Sequence, residues 1–108
     1  MGEWFYANIL KSDAVTLVAK NIYVQMEPIE AKEAVEYQGG DPHFTFHFYT
    51  RMLPTSNLTL LQQKYYVVDQ QTIDPTTGHL MKYLIISDPH AKTLMMSWEW
   101  IAYRYRGS

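Results

Sequence analysis

A chain of 108 residues has room for one small domain, which excludes a separate catalytic module beside a binding module. Its 47% hydrophobic and 19% charged residues are typical of a folded protein, and a net charge of −2 argues against binding nucleic acid by charge. The absence of cysteine excludes disulfides, thiolate nucleophiles and thiolate zinc sites. No apolar stretch reaches the ~18–20 residues that span a bilayer, and Glu3 stands where a secretory signal would carry positive charge. We therefore expect neither export nor membrane association.

Two strands are predicted at the start of the chain. Residues 4–10 form a short run with strand character, and residues 15–26 have the β-branched and aromatic content of a longer strand. Within the longer run, the buried positions are expected to be Val18, Ile22 and Val24.

The next segment changes to the period of a helix. Residues 29–37 contain good helix formers, Pro28 suits a first helical turn, and Gly39 with Gly40 ends the pattern. Residues 27–42 hold five acids and one base, a net −4, which leaves +2 for the other residues. The acidity of the protein is thus concentrated in one insertion.

A third strand is predicted over residues 43–51, where apolar and polar side chains alternate. One face carries phenylalanine and is expected to be core, and the opposite face is expected to be wet. The core face consists of Phe44, Phe46 and Phe48, and the wet face of His43, Thr45, His47, Tyr49 and Arg51.

Three more strands are predicted as an antiparallel meander. Residues 60–73 and 80–87 pair around a Pro- and Gly-containing turn at 74–78, and residues 94–104 follow with Trp98 and Trp100 as core anchors. The run 80–87 is apolar on both faces, which predicts a strand covered on two sides. The whole chain, 1–108, is then a single, mainly β domain. We expect a small antiparallel β-barrel of about six strands, with one short helix inserted between the second and third strands.

Catalytic and metal chemistry has no signature in this sequence. His43 and His47 lie ~13 Å apart if both are on one strand, so a metal site would also need His79 or His90 and carboxylates. Neither a Gly-x-Ser-x-Gly turn nor a Gly-rich phosphate loop is present. We expect no enzyme activity, metal or cofactor. An oligonucleotide-binding barrel is one alternative, with His43, Tyr49 and Arg51 as its stacking face.

The order of these segments resembles the bacteriophage head-tail joining proteins. In that family a strand like residues 21–28 leads through a short helix, here 29–37, into an extended strand, here 44–51. A meander like residues 63–68 and 80–86 follows, so the resemblance spans roughly residues 22–87. It implies a head completion protein, also called a stopper or head-tail connector. A tail completion (tail terminator) protein is a further alternative.

The resemblance also implies partners and sites. Such a protein is expected as a twelve-fold homo-oligomeric ring in the virion neck, after synthesis in the host bacterial cytoplasm. The ring would contact the portal or adaptor ring and the tail proteins, and DNA would pass without sequence-specific binding. The family's channel-lining and gating connection corresponds here to Glu30, Glu33, Glu36, Gly39, Gly40 and Asp41. Contacts with neighbouring subunits or partner rings are expected at Trp4, Tyr6, Tyr49, Arg51, Tyr103 and Arg104.

Overall fold

The computed structural model describes residues 3–30, 44–51, 61–92 and 97–105, and within these ranges every regular element is a β-strand. The strands are β1 Glu3–Leu10, β2 Leu17–Pro28, β3 Thr45–Arg51, β4 Tyr66–Ile73, β5 Leu80–Ile85, β6 His90–Lys92 and β7 Ser97–Tyr105.

Six of these strands close into an antiparallel barrel. Their order around the wall is β3-β2-β1-β4-β5-β7, and β7 pairs with β3 from Thr45↔Tyr103 to Arg51↔Ser97. The short β6 pairs with the first residues of β7, on the edge that β5 occupies further along. Closure leaves the barrel without a long unpaired strand edge, which confirms the predicted fold class.

Aromatic side chains fill the barrel interior. Trp100 stacks on Phe48 with ring centroids 5.7 Å apart and an interplanar angle of 8°, and Tyr83 lies edge-on to Phe48 at 5.1 Å. Trp100 and Phe48 are buried, as predicted, whereas Trp98 and Phe46 are only partly buried against the same core. The predicted buried positions of the second strand, Val18, Ile22 and Val24, are buried as well.

The meander of β4, β5 and β7 has the predicted connectivity. β4 and β5 form a hairpin whose turn is held by the Asp74 carbonyl, which accepts hydrogen bonds from the backbone N–H groups of Thr77 and Gly78. Gly78 has φ of +76°, a left-handed conformation that glycine adopts without a Cβ clash.

Two predictions of side-chain exposure are wrong. Thr45, expected on the wet face of the third strand, is 1% exposed, because barrel closure pairs its strand with β7, where Tyr103 is its direct cross-strand partner. The strand β5 is not covered on both sides. Tyr83 and Ile85 point inward and are buried, whereas Leu80 is exposed, since a barrel strand has one inner face.

The predicted helix falls mainly on residues 31–37, outside the described residues. Where the structure describes the segment, Pro28 is the last residue of β2 and not part of a helical turn, and Ile29 and Glu30 are not helical. Ile29 packs with Ile101 and Ile86 in a small cluster on the outer side of β7. The cluster buries Ile101 on the face of β7 opposite to Trp100, and the sequence pattern did not predict this burial.

Candidate functional site

The predicted channel segment leaves the barrel at one end. Glu30, at the start of this segment, is exposed. The other residues assigned to it, Glu33, Glu36, Gly39, Gly40 and Asp41, lie outside the described residues, as does His43 of the predicted stacking face. The chain returns at Phe44, whose carbonyl accepts a 2.7 Å hydrogen bond from the backbone N–H of Arg104.

Arg104, a predicted partner contact, lies in this end of the barrel. Its Nη2 and Nε donate to the two carboxylate oxygens of Asp74 at 2.7 and 3.3 Å, and the guanidinium lies 6.0 Å from the centre of the Phe44 ring. Hydrogen bonding to Arg104 holds the pKa of Asp74 below its usual range. The ion pair thus ties the β4–β5 turn to β7, and the Arg104 side chain is occupied within the subunit.

Three exposed aromatic side chains form a surface on β1 and β2, which we call the β2 face. Tyr23 stacks with Trp4 at a centroid distance of 5.0 Å and contacts Tyr6 at 4.9 Å. Trp4, Tyr6 and Tyr23 are 44, 48 and 49% exposed. Trp4 and Tyr6 were predicted as contact residues. Their grouping on one wall follows from the alternation of β1, which turns Phe5 and Ala7 inward.

Sequence analysis missed Tyr23, the residue that joins the other two. The triplet Ile22, Tyr23, Val24 carries the needed signal, since an aromatic residue between two buried aliphatic residues of a strand points outward. The register also matters, because Tyr23 is the direct cross-strand partner of Tyr6. That pairing is set by long-range contacts that the sequence pattern alone does not reveal.

A cluster of three amide side chains beside the β2 face stabilises the pairing of β1 with β2. Gln70 Nε2 donates to Asn8 Oδ1 at 2.7 Å and to Asn21 Oδ1 at 2.8 Å, and Asn8 Oδ1 also accepts from the backbone N–H of Asn21 at 3.1 Å. Asn21 has φ of +56° at a register shift between β1 and β2. The cluster holds this bulge, and with it the register that pairs Tyr6 with Tyr23.

Two further predicted contact residues extend the β2 face across β3. Tyr49 stands opposite Gln25, which in turn stands opposite Trp4, so the three belong to one cross-strand row. The Tyr49 ring lies edge-on to His47 at 4.5 Å. Arg51, at the end of β3, is exposed.

A second aromatic surface lies on β4, β5 and β7, and we call it the β5 face. Tyr66 stands opposite Leu84, and Leu84 stands opposite Tyr103, the remaining predicted contact residue. Tyr105 lies edge-on to Tyr66 at 5.4 Å. Partial burial, followed by the electrostatic effects of Tyr105 and Tyr103, raises the pKa of Tyr66. All four side chains are half-buried.

The two faces lie on opposite walls. In the closed order β3-β2-β1-β4-β5-β7, the strands β2 and β5 are three positions apart in either direction. The predicted contact residues therefore divide into two groups on opposite sides of the barrel, with Arg104 in neither group.

The described ranges contain neither a group of metal-binding side chains nor a membrane-spanning helix. Within residues 3–30, 44–51, 61–92 and 97–105, no three His, Asp or Glu side chains are grouped so that they could hold a metal ion. His90 lies beside a buried acid, with Nε2 3.3 Å from Oε2 of Glu99. The same ranges contain no helix of the length and apolar character that crossing a bilayer requires.

Comparison with known proteins gives no relative: no family model matches the sequence, and neither the curated proteins nor the solved structures contain a significant match.

Proposed function

We propose that this protein is a structural component of a tailed bacteriophage, a head-tail connector of the stopper or head completion type. Its subunits form a ring under the portal or adaptor, close the DNA exit channel and offer a docking surface to the tail.

The arrangement of β2, the acidic segment and β3 carries this proposal. β2 is a twelve-residue strand that ends at Pro28, and the neighbouring strand β3 begins at Thr45, so the segment between them starts and finishes at one end of a closed barrel. Residues 27–42 carry the net charge of −4. Negative charge in the connection between these two strands suits a channel through which DNA slides, because repulsion prevents the phosphate backbone from binding.

The outer surface also supports the proposal. A subunit of a closed ring contacts its two neighbours through two different patches, and interface cores are enriched in Tyr and Trp. The β2 and β5 faces are two such patches on opposite walls.

The test uses DNA-filled, tailless phage heads. We expect the protein to bind these heads in a fixed multiple and to stop the loss of DNA, measured by pull-down, mass analysis and nuclease sensitivity of the packaged DNA. The triple variant E30K/E33K/E36K should still bind heads but should slow DNA ejection, because its lysines attract phosphate. The matched control E30Q/E33Q/E36Q removes the charge without adding attraction.

Two results would contradict the proposal. Attachment to isolated tails but not to heads would make the protein a tail completion protein. Salt-dependent binding of oligonucleotides by the free protein would favour the oligonucleotide-binding barrel instead.

A further inference from the structure

We propose that copies of this chain associate head to tail, with the β2 face of one copy packed against the β5 face of the next. This contact rests on the proposed function, because a connector ring brings copies of the chain together. It adds which two surfaces join neighbouring subunits.

The position of the two faces favours this arrangement over a symmetric pair. A two-fold dimer through the β2 face would cover Trp4, Tyr6 and Tyr23 but leave the β5 face in water. A dimer through the β5 face would leave the β2 face uncovered. Because the faces lie on opposite walls, head-to-tail contact covers both faces in every copy except the first and last copies of an open row. Closure into a ring removes the ends.

The exposed area of the β2 face fits the core of such a contact. Large aromatic side chains offer ~150–250 Å² each, so three that are close to half exposed present about 200–350 Å² together. A standard interface buries about 800 Å² per partner around a less polar centre. The aromatic cluster supplies this centre, and the neighbouring polar side chain of Gln25, the cross-strand partner of Trp4, contributes to the rim.

Both faces are already ordered in the single subunit. Tyr23 is held between Trp4 and Tyr6 by ring contacts, and Tyr66 is held by Tyr105. Rigid aromatic side chains lose little conformational entropy when they are buried by a partner. The barrel wall behind them is fixed by closure of β3 on β7.

The test uses cysteine cross-linking, for which the cysteine-free chain is well suited. Q25C places a thiol in the β2 face, beside Trp4 in the cross-strand register. K82C places one in the β5 face, opposite Tyr105. The control S12C carries its thiol on an exposed turn outside both faces. Differently tagged variants are treated with a short bismaleimide, both free at high concentration and bound to phage heads.

Head-to-tail packing predicts a mixed dimer. Q25C with K82C should give several-fold more cross-linked dimer than either variant alone, and the double variant Q25C/K82C should give a ladder of multimers. Adding Y23A to Q25C should remove the mixed dimer. Efficient cross-linking of Q25C to itself would show a two-fold contact and overturn the inference. So would a mixed yield no greater than that of S12C with K82C in both settings.

The outcomes separate this inference from the proposed function. Multimer ladders from a protein that does not bind phage heads would support the head-to-tail contact and contradict the connector role. Head binding in a fixed multiple without Q25C–K82C cross-links would support the connector role and contradict the contact proposed here.

Discussion

Trp4 and Trp100 have opposite environments in the same barrel. Trp100 is 1% exposed and stacked on Phe48, whereas Trp4 is 44% exposed on the outer wall. Because Trp100→Ala leaves a cavity at the centre of the core, we expect it to lower the free energy of unfolding by about 3–5 kcal/mol. Trp4→Ala should lower it less, by about 0.5–1.5 kcal/mol, because it removes the ring contact with Tyr23 on the outer wall but opens no cavity in the core. Urea denaturation followed by circular dichroism measures both, and equal losses would contradict the assigned core.

A carboxylate in the β1–β2 turn titrates unusually low. Asp13 accepts hydrogen bonds from the Thr16 hydroxyl and from the backbone N–H groups of Thr16 and Val15, and these bonds lower its pKa from 3.8 to about 2. The folded state therefore gains stability from Asp13 above its unfolded pKa and loses this stability as the pH falls through about 2.

The Thr16 hydroxyl has the largest effect on that pKa. Thr16→Ala should raise the Asp13 titration midpoint part of the way towards 3.8, because the two backbone hydrogen bonds remain. NMR titration of the Asp13 carboxyl measures this shift, with Ser12→Ala as the control that keeps all three donors. An unchanged midpoint in Thr16→Ala would show that the hydroxyl does not act on Asp13.

At the scale of elements, the β4–β5 hairpin depends on one backbone conformation. Gly78 has φ of +76°, and a Cβ at this position would meet no atom within 4 Å. Gly78→Ala therefore reports backbone strain alone, and we expect a loss of about 1–2 kcal/mol. Gly78→Asn should cost less, since Asn tolerates the left-handed region. Thermal unfolding of the two variants tests this, and an equal or smaller loss for Ala would contradict the turn assignment.

The strands could be predicted from sequence because their side chains alternate between the interior and the outer wall. The predicted burial of Val18, Ile22 and Val24 is confirmed, and the hairpin around Asp74 was predictable from the Pro and Gly of its turn. The short β6 has no such pattern, because its three residues are a strand only through pairing with β7. The burial of Thr45 was not predictable for the same reason, because it depends on pairing with β7 opposite Tyr103.

The candidate contact surface was predictable only as a list of residues. Contacts at Trp4, Tyr6 and Tyr103 were expected from the family resemblance, but their division into two faces depends on barrel closure and register. Arg104 was expected among the same contacts, but it belongs to neither face. Its ion pair with Asp74 joins residues 30 positions apart, which strand periodicity does not report.

At the scale of the whole molecule, the proposed head-to-tail association predicts that stability depends on protein concentration. A contact that forms only between folded copies stabilises the folded state by mass action, so the Tm of the unmodified protein should rise as its concentration rises. Y23A on one face and Y103A on the other should each reduce this rise, because every contact needs one face of each kind. Thr16→Ala is the control, since it alters an exposed turn away from both faces. It should keep the same dependence on concentration even if its Tm is lower. Differential scanning calorimetry over a concentration series measures the effect, and identical curves for Y23A and the unmodified protein would exclude the β2 face from the contact.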